Sequence, residues 1–499
     1  MPTREPRRVA AIDVGSNAVR LLVADVSPGG RLTTIAQDRR PTQLARDLAT
    51  THRLDPAAIA PTLDALRDFL ATARRARAGR IRAVATSAVR DASDGPDFVD
   101  LVQKRLGLDL RVISGDHEAA LAFASAATKL RRTEQPVALI DIGGGSAQLV
   151  LAIRETPVFT RSLPLGAVRL ADAFSSVPAL RRHIREALGP ALKDLPLSPR
   201  TLAGTGGTIT TLASIQAGIG RHPKDTIPLE LARDLIRRFI DSAPLLPDFV
   251  HNLPPDRAGI LLPGLLVLEH AAAGLGLQSI VHAPGGLREG LCRVLAADPD
   301  EPDPVPAARR LSRLLDPDPD HSRHVDRLAS SMLDQLARHP AVGSVLAAEP
   351  DARTILRVAA LLHDTGASVD YPTHHKRSRD IILASLLPGI SERATALASQ
   401  VARYHRKAEP SRRHPRFAAL SEPDRAVVRV LAAVLRAADA LDRSHRGRVR
   451  SLHLTFSPRA AAVRVAASGR IDAERRAFAE KSRLLARVLG VPLTLAAGA

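Results

Sequence analysis

Tryptophan is absent from this 499-residue chain, tyrosine occurs twice, and aromatic residues make up 2% of it. So few rings argue against the stacking platforms on which single-stranded nucleic acids lie. The single cysteine, Cys292, has no partner for an internal disulfide, which fits a reducing cytosol. Long uninterrupted apolar runs are missing too. The opening MPTREPRRVAAIDVGSN carries arginines, but Asp13 cuts its apolar stretch short, so it does not read as a signal peptide. AGILLPGLLVLEHAAAGLGL contains Pro263, Glu269 and His270 and reads as a buried helix, with no membrane span expected.

What is present is enough chain for two to four domains, with ordinary apolar content. The formal net charge is +19. Residues 308–499 hold 33 Lys and Arg against 19 Asp and Glu, so most of the excess sits in the C-terminal part. Such a field attracts a polyanion: nucleic acid, an acidic membrane or a phosphate polymer. Arginine bias from genome composition is the plainer explanation of the same count.

Up to about residue 300, short apolar runs alternate with helical patterns. RVAAIDVG and AVRLLVADV read as strands around a tight turn at Gly15–Asn17. PAAIAPTLDALRDFLATARRA reads as a helix, RIRAVATSA as a strand, GPDFVDLVQKRLG as a helix, LRVIS as a strand and GDHEAALAFASAATKL as a helix. QPVALIDIGGGSAQLVLAI then restarts the cycle. AAIDVGSN and ALIDIGGGS share an apolar strand, an aspartate and a glycine turn, which suggests two related α/β halves facing a cleft. LAGTGGTITTLASI adds a third glycine turn opening a helix. The proline-rich, acidic stretch 296–310 reads as a linker. Beyond it the pattern is helical to about 449, followed by a hairpin, the helix DAERRAFAEKSRLLARVLG and a last strand, VPLTLA.

Backbone N–H groups in glycine turns can wrap phosphate oxygens, and Ser16, Asn17 and Ser146 add side-chain donors. Asp13 and Asp141, at the strand ends, would repel a phosphate directly. They can hold Mg²⁺ or orient a water. A hairpin capped by an aspartate is the bland reading of one such turn; two matched turns plus GTGGT make it a poor one.

The pair AIDVGSN and IDIGGGS, with GTGGT downstream, resembles the phosphate loops of the acetate-kinase and actin-like ATPase superfamily. Within it the chain resembles the exopolyphosphatase / guanosine-pentaphosphate phosphohydrolase (Ppx/GppA) family. Further matching stretches are ATSAVRDA, ISGDHEAALAF, DRAGILLPG, GGLREGL and RYHRKA, in the family's order over nearly the whole chain. The resemblance implies a duplicated actin-like (ribonuclease H-like) α/β core, an all-α HD-like domain and a small α+β tail. The expected divisions are 1–132, 133–300, 301–448 and 449–499. It implies hydrolysis of a terminal phosphoanhydride of inorganic polyphosphate or of guanosine pentaphosphate. Glu118 is then the general base and Asp141 its helper through Mg²⁺ (or Mn²⁺) or the water. Glu118, Asp13 and Asp141 are the expected Mg²⁺ ligands. Arg90 would neutralise the transferred phosphoryl group. Ser16, Asn17, Gly143, Gly144, Gly145 and Ser146 would hold its oxygens, with Gly206, Gly207 and Arg257 as further phosphate contacts. Two departures stand out. The family commonly has a glutamate where this chain has His117, and another where it has Gln148, which replaces a charge-assisted contact by a neutral one. A low-turnover sensor of polyphosphate or nucleotide, and a kinase, are the rival readings.

In the second half, His321, the pair His363–Asp364 and Asp439 fall in separate helical stretches. This resembles the metal-ligating pattern of HD-domain phosphohydrolases, and His374, His375 and His405 stand where further ligands could. A second divalent metal is one reading; a scaffold and polyanion surface without chemistry is the other. The basic run Arg403, Arg406, Lys407, Arg412, Arg413 and Arg416 favours the scaffold. A cytoplasmic homodimer with no nucleic-acid partner completes the expectation.

Overall fold

A computed structural model describes residues 5–130, 135–153, 156–218, 225–242, 253, 255–297 and 303–497. Two compact units divide the chain, Met1–Asp298 and Pro299–Ala499.

The first unit uses one topology twice. Its first sheet contains β1 (Arg7–Val14), β2 (Val19–Val26), β3 (Leu32–Arg40), β4 (Arg80–Ala85) and β5 (Leu110–Val112) in the order β3-β2-β1-β4-β5. The second contains β6 (Val137–Ile142), β7 (Ala147–Ile153), β8 (Thr156–Leu163), β9 (Thr201–Gly206), β10 (Thr226–Pro228) and β11 (Ser279–His282) in the order β10-β11-β9-β6-β7-β8. In both, the first three strands form an antiparallel meander; β4 and β5 in the first sheet, and β9 and β11 in the second, then add in parallel beside the first strand. β10 is the one strand of the second sheet without a counterpart in the first. This is the duplicated actin-like core with its glycine turns at corresponding strand ends. β6 is buried along its whole length, as its unbroken apolar run demands of a central strand with both faces covered.

Two helices packed on each other connect this core to the chemistry. Gly115–Leu130 carries Glu118 in its first turn, where Ser114 Oγ accepts the His117 N–H at 3.2 Å. Leu287–Ala296 carries Arg288 and Glu289. They approach so closely that a Cβ at Gly290 would overlap the Leu121 carbonyl oxygen.

Three element expectations change. The run RIRAVATSA is a strand only to Ala85; Ser87–Asp91 is a short helix, closed by Arg90 N–H donating to Thr86 O at 3.0 Å. The proline-rich linker ends earlier than its composition suggests, because Val305–Leu315 is helical with Pro306 in the first turn, where a missing N–H costs nothing. Residues 298–302 of that stretch lie outside the described residues. The helix expected after residue 471 is two segments, Asp472–Lys481 and Arg483–Leu489.

The second unit is helical, from Val305–Leu315 to Glu422–Ala440, and ends in a three-stranded sheet. Its strands are β12 (Val449–Phe456), β13 (Ala461–Ala467) and β14 (Leu493–Ala497). Val449, Leu452 and Val463 of this sheet belong to the same hydrophobic core as Leu356, Leu397 and Leu431 of the helices. Among the described residues no helix is long and apolar enough to cross a membrane.

Candidate active site

The two glycine turns of the core are built alike. Gly15 N–H donates to Ala18 O at 3.2 Å, and Gly143 N–H to Ser146 O at 3.0 Å. In the second turn the carbonyls are tied back: Ala167 N–H reaches Gly143 O at 2.9 Å and Val168 N–H reaches Gly144 O at 2.8 Å. Arg169 Nε takes Gly145 O at 2.8 Å. A trans peptide points its N–H opposite to its C=O. The N–H groups of Gly144, Gly145 and Ser146 therefore face away from those anchors. In the first turn Ala45 N–H holds Ser16 O and Gln43 N–H holds Asn17 O, each at 3.1 Å, with the same consequence. None of the three consecutive glycines occupies the left-handed region. They are glycines for clearance: a Cβ at Gly144 would stand 3.0 Å from Ser16 Cβ, and one at Gly145 would overlap Ser87 Oγ.

Both turns open on one cavity of about 910 Å³. Asp13, Ser16, Asn17, Glu118, Asp141, the Gly143–Ser146 turn, Gly206, Gly207 and Arg257 all line it. Gly206 adopts φ 91°, and a Cβ there would come within 2.6 Å of Asp141 Oδ1, so this glycine both makes the turn and leaves the carboxylate room. Arg257 packs its guanidinium against Gly207, at a distance no side chain at 207 would tolerate.

Asp13, Glu118 and Asp141 are buried together, 7%, 7% and 9% exposed. Burial pushes the Glu118 carboxyl up to about 8; Arg90 opposes this, and the charges of Asp141 and Asp13 add to it. Asp141 is raised to about 6, again chiefly by burial, with Arg20 pulling the other way. Asp13 is raised for the same first cause, and Arg20 and Arg288 counter it. Glu289 also raises Asp13 and Asp141, so the acids of this cavity ionise more readily with a positive charge beside them. Carboxylate oxygens are the donor type that a hard divalent cation takes.

Arg90 is not on the cavity wall. Its Nη1 donates to Ile113 O at 2.9 Å and lies 3.4 Å from Glu118 Oε2, so it stands behind the carboxylate. Gln148, 1% exposed, donates from Nε2 to Ser146 Oγ at 2.8 Å, and Ser146 Oγ lies 3.5 Å from Glu118 Oε1. Strand register gives Gln148 a counterpart: it pairs with Asp141 across β6–β7 as Arg20 pairs with Asp13 across β1–β2. Arg20 Nη1 is 3.8 Å from Asp13 Oδ2. Sequence reasoning missed Arg20, Arg288 and Glu289 as parts of this cavity. GGLREGL carried the signal for the last two, because its glycine pair, with Gly285 at φ 102°, is a fourth glycine turn at a strand end.

Residues 22–296 match the Ppx/GppA phosphatase family. The chain belongs to the Ppx/GppA phosphatase family. Residues 306–475 match domain III of the same family. Membership makes the chain a phosphoanhydride hydrolase. A relative named exopolyphosphatase 2, from Mycobacterium tuberculosis (strain CDC 1551 / Oshkosh), is 32% identical over 317 residues, covering 58% of this chain and 98% of that protein. Two solved structures share the core fold. An exopolyphosphatase from Cytophaga hutchinsonii has TM-score 0.54 at 22% identity, covering 58% of this chain and 98% of its own. An exopolyphosphatase-like protein has TM-score 0.52 at 24% identity with the same coverage.

In the helical unit, His321, His363, Asp364 and Asp439 are brought together. His321 Nε2 lies 3.6 Å from Asp439 Oδ1 and 4.0 Å from Asp364 Oδ2. His374 and His405 join them; His375 is buried nearby with its ring edge-on to His374.

Proposed function

We propose that this phosphatase is an exopolyphosphatase that releases orthophosphate from the end of inorganic polyphosphate in the cytoplasm. The observation that carries the reading is one cavity lined by three buried carboxylates, each raised chiefly by burial, and by two amide-lined turns. The turns offer N–H groups of Gly144, Gly145 and Ser146, with the Ser16 and Asn17 side chains, to the terminal phosphate oxygens. Gly206 and Gly207 lie at the third turn of the same wall. Arg257, Arg20, Arg39 and Arg288 line the cavity and supply positive charge for a row of phosphates. Guanosine pentaphosphate presents the same terminal anhydride and is the second reading within the family.

Asp13, Asp141 and Glu118 would hold Mg²⁺ or Mn²⁺, which supplies charge neutralisation at the phosphoanhydride when bound. Glu118 takes the proton of the attacking water, and Arg90 sets how readily it does so from behind. Gln148 orients Ser146, whose hydroxyl faces both the turn and Glu118. The core divides into actin-like halves near residue 133, and a divalent metal in the HD-like helical unit and a homodimer belong to the same reading.

The test is phosphate release by the full-length protein with Mg²⁺ from long-chain polyphosphate, guanosine pentaphosphate and ATP. Polyphosphate is expected to be preferred and Glu118→Ala to be inactive. Release that survives Glu118→Ala overturns the assigned base. No release from any of the three leaves a sensor.

A further inference from the structure

Four imidazoles and two carboxylates converge in the helical unit. His321 comes from Pro319–Leu336, and His363 and Asp364 from the end of Ala352–Leu362. His374 opens His374–Ala384, His405 follows Glu392–Arg403, and Asp439 lies in Glu422–Ala440. Their ligand atoms form two triads, His321–His363–Asp439 and Asp364–His374–His405, with all atoms of each within 4.8 Å of one another. Asp364 stands between them. Its Oδ2 is 3.6 Å from His363 Nε2 and 4.0 Å from His321 Nε2. Its Oδ1 is 3.2 Å from His374 Nε2 and 3.4 Å from His405 Nε2. One carboxylate oxygen thus serves each triad.

The protons of all four rings are accounted for on the far side. His363 Nδ1 lies 2.7 Å from Ala360 O, His374 Nδ1 2.8 Å from Tyr371 O, and His405 Nδ1 2.7 Å from Ala402 O. A carbonyl only accepts, so each Nδ1 carries its hydrogen and each neutral ring turns an Nε2 lone pair inward. Arg406 also approaches His374 Nδ1, at 3.2 Å, but the carbonyl is the closer partner. Asp442 Oδ2 plays the carbonyl's part for His321, at 2.9 Å. Inside, the Nε2 atoms of His374 and His405 stand 3.1 Å apart, lone pair against lone pair. Among the described residues the Nε2 of His363, 0% exposed, has no hydrogen-bond partner, and that of His321, 3% exposed, faces Asp439 Oδ1, at 3.6 Å. A set of core histidines kept for packing would satisfy both nitrogens. This one leaves the same nitrogen of each ring facing a common centre. Asp439 keeps Oδ1 toward the first triad while Lys481 holds its Oδ2.

We infer that the helical unit binds two divalent first-row transition cations side by side. One sits on His321, His363 and Asp439, the other on His374, His405 and Asp364, with Asp364 bridging them. Imidazole-rich donors favour such ions, whereas Mg²⁺ asks for oxygens and retains its water. The two units of the chain then differ in donor type, carboxylate oxygens in one and mainly imidazole nitrogens in the other. Asp364, with a fifth of its side chain exposed, marks the side from which ions enter.

The test uses the full-length chain, stripped with a chelator and loaded with Mn²⁺ in excess Mg²⁺. After desalting, two Mn²⁺ per chain are expected, with an exchange-coupled electron paramagnetic resonance spectrum. Asp141→Asn, in the other unit, is expected to retain both ions, which separates this site from the cleft. Asp364→Asn, nearly the same shape, is expected to lose the coupling and most of the metal while keeping its helical circular dichroism. Should that variant misfold, the wild-type melting temperature in constant excess Mg²⁺ decides: it rises further when Mn²⁺ is added. Fewer than two ions per chain, an uncoupled spectrum, metal lost with Asp141→Asn, or a melting temperature unmoved by Mn²⁺ would each overturn the inference.

Discussion

The role of general base proposed for Glu118 makes the sharpest prediction, through the ionisation of its carboxyl. Burial holds its carboxyl up to about 8, with Asp141 and Asp13 adding to the rise and Arg90 limiting it. The group is raised, so below that value the folded protein keeps it protonated and it cannot accept a proton. With an apparent value near 8, about 1% is ionised at pH 6 and about 90% at pH 9, so kcat/KM should rise roughly 90-fold across that interval. The rise should approach tenfold per unit below about pH 7 and flatten above about pH 9. Phosphate release at low substrate and constant ionic strength, with low Mg²⁺, is the assay. Added Mg²⁺ favours the ionised acids and should move the inflection down. Arg90→Gln removes the opposing charge and should move it up. Glu118→Gln should lower the rate by about 10²–10⁴ and abolish the inflection. A flat profile at limiting metal would refute the reasoning, and so would the same inflection persisting in Glu118→Gln.

Gln148→Glu removes the donor to Ser146 Oγ and adds a fourth buried acid; without cation it should cost about 1–3 kcal/mol in urea unfolding. The same variant should reach half-saturation at several-fold lower Mg²⁺. Gly290→Ala places a methyl on the Leu121 carbonyl oxygen, a backbone atom that cannot rotate away. It should cost about 1–3 kcal/mol in the urea midpoint and lower kcat, because both helices of that contact carry cavity residues. Cys292 is fully buried with its thiol pushed up to about 12, so a disulfide-exchange reagent at pH 8 should react only after unfolding.

The turns and their aspartates were legible because close backbone approach leaves a mark no other residue type can make. Asp13 and Asp141 stood out by sitting at the same place in both repeats. Arg20 carried no such mark, since an arginine inside an alternating strand reads as an exposed face. Only the register, Asp13 opposite Arg20 and Asp141 opposite Gln148, shows that the two positions correspond. The overrun of β4 has a similar cause: Thr86, Ser87 and Ala88 continue an apolar, small-residue pattern, and the turn there follows from Arg90 reaching back to Thr86 O. Pro306 misled in the other direction, because a proline stops a helix in its middle but suits its first turn. His374 and His405 were visible as histidines; that their Nε2 atoms face each other depends on which backbone carbonyls hold Nδ1, and those are set by helix ends that pattern locates only coarsely.

At Gly145 the two halves of the core pack close together. Of the imagined methyls on the three consecutive glycines, that of Gly143 would meet only its own turn, while that of Gly145 would strike Ser16 and Ser87 of the opposite half. The third glycine thus sets a clearance: only a hydrogen fits between it and the facing hydroxyls of Ser16 and Ser87. A series from Gly145→Ala through Ser to Val would fill that clearance by increasing volume without touching a single charged group.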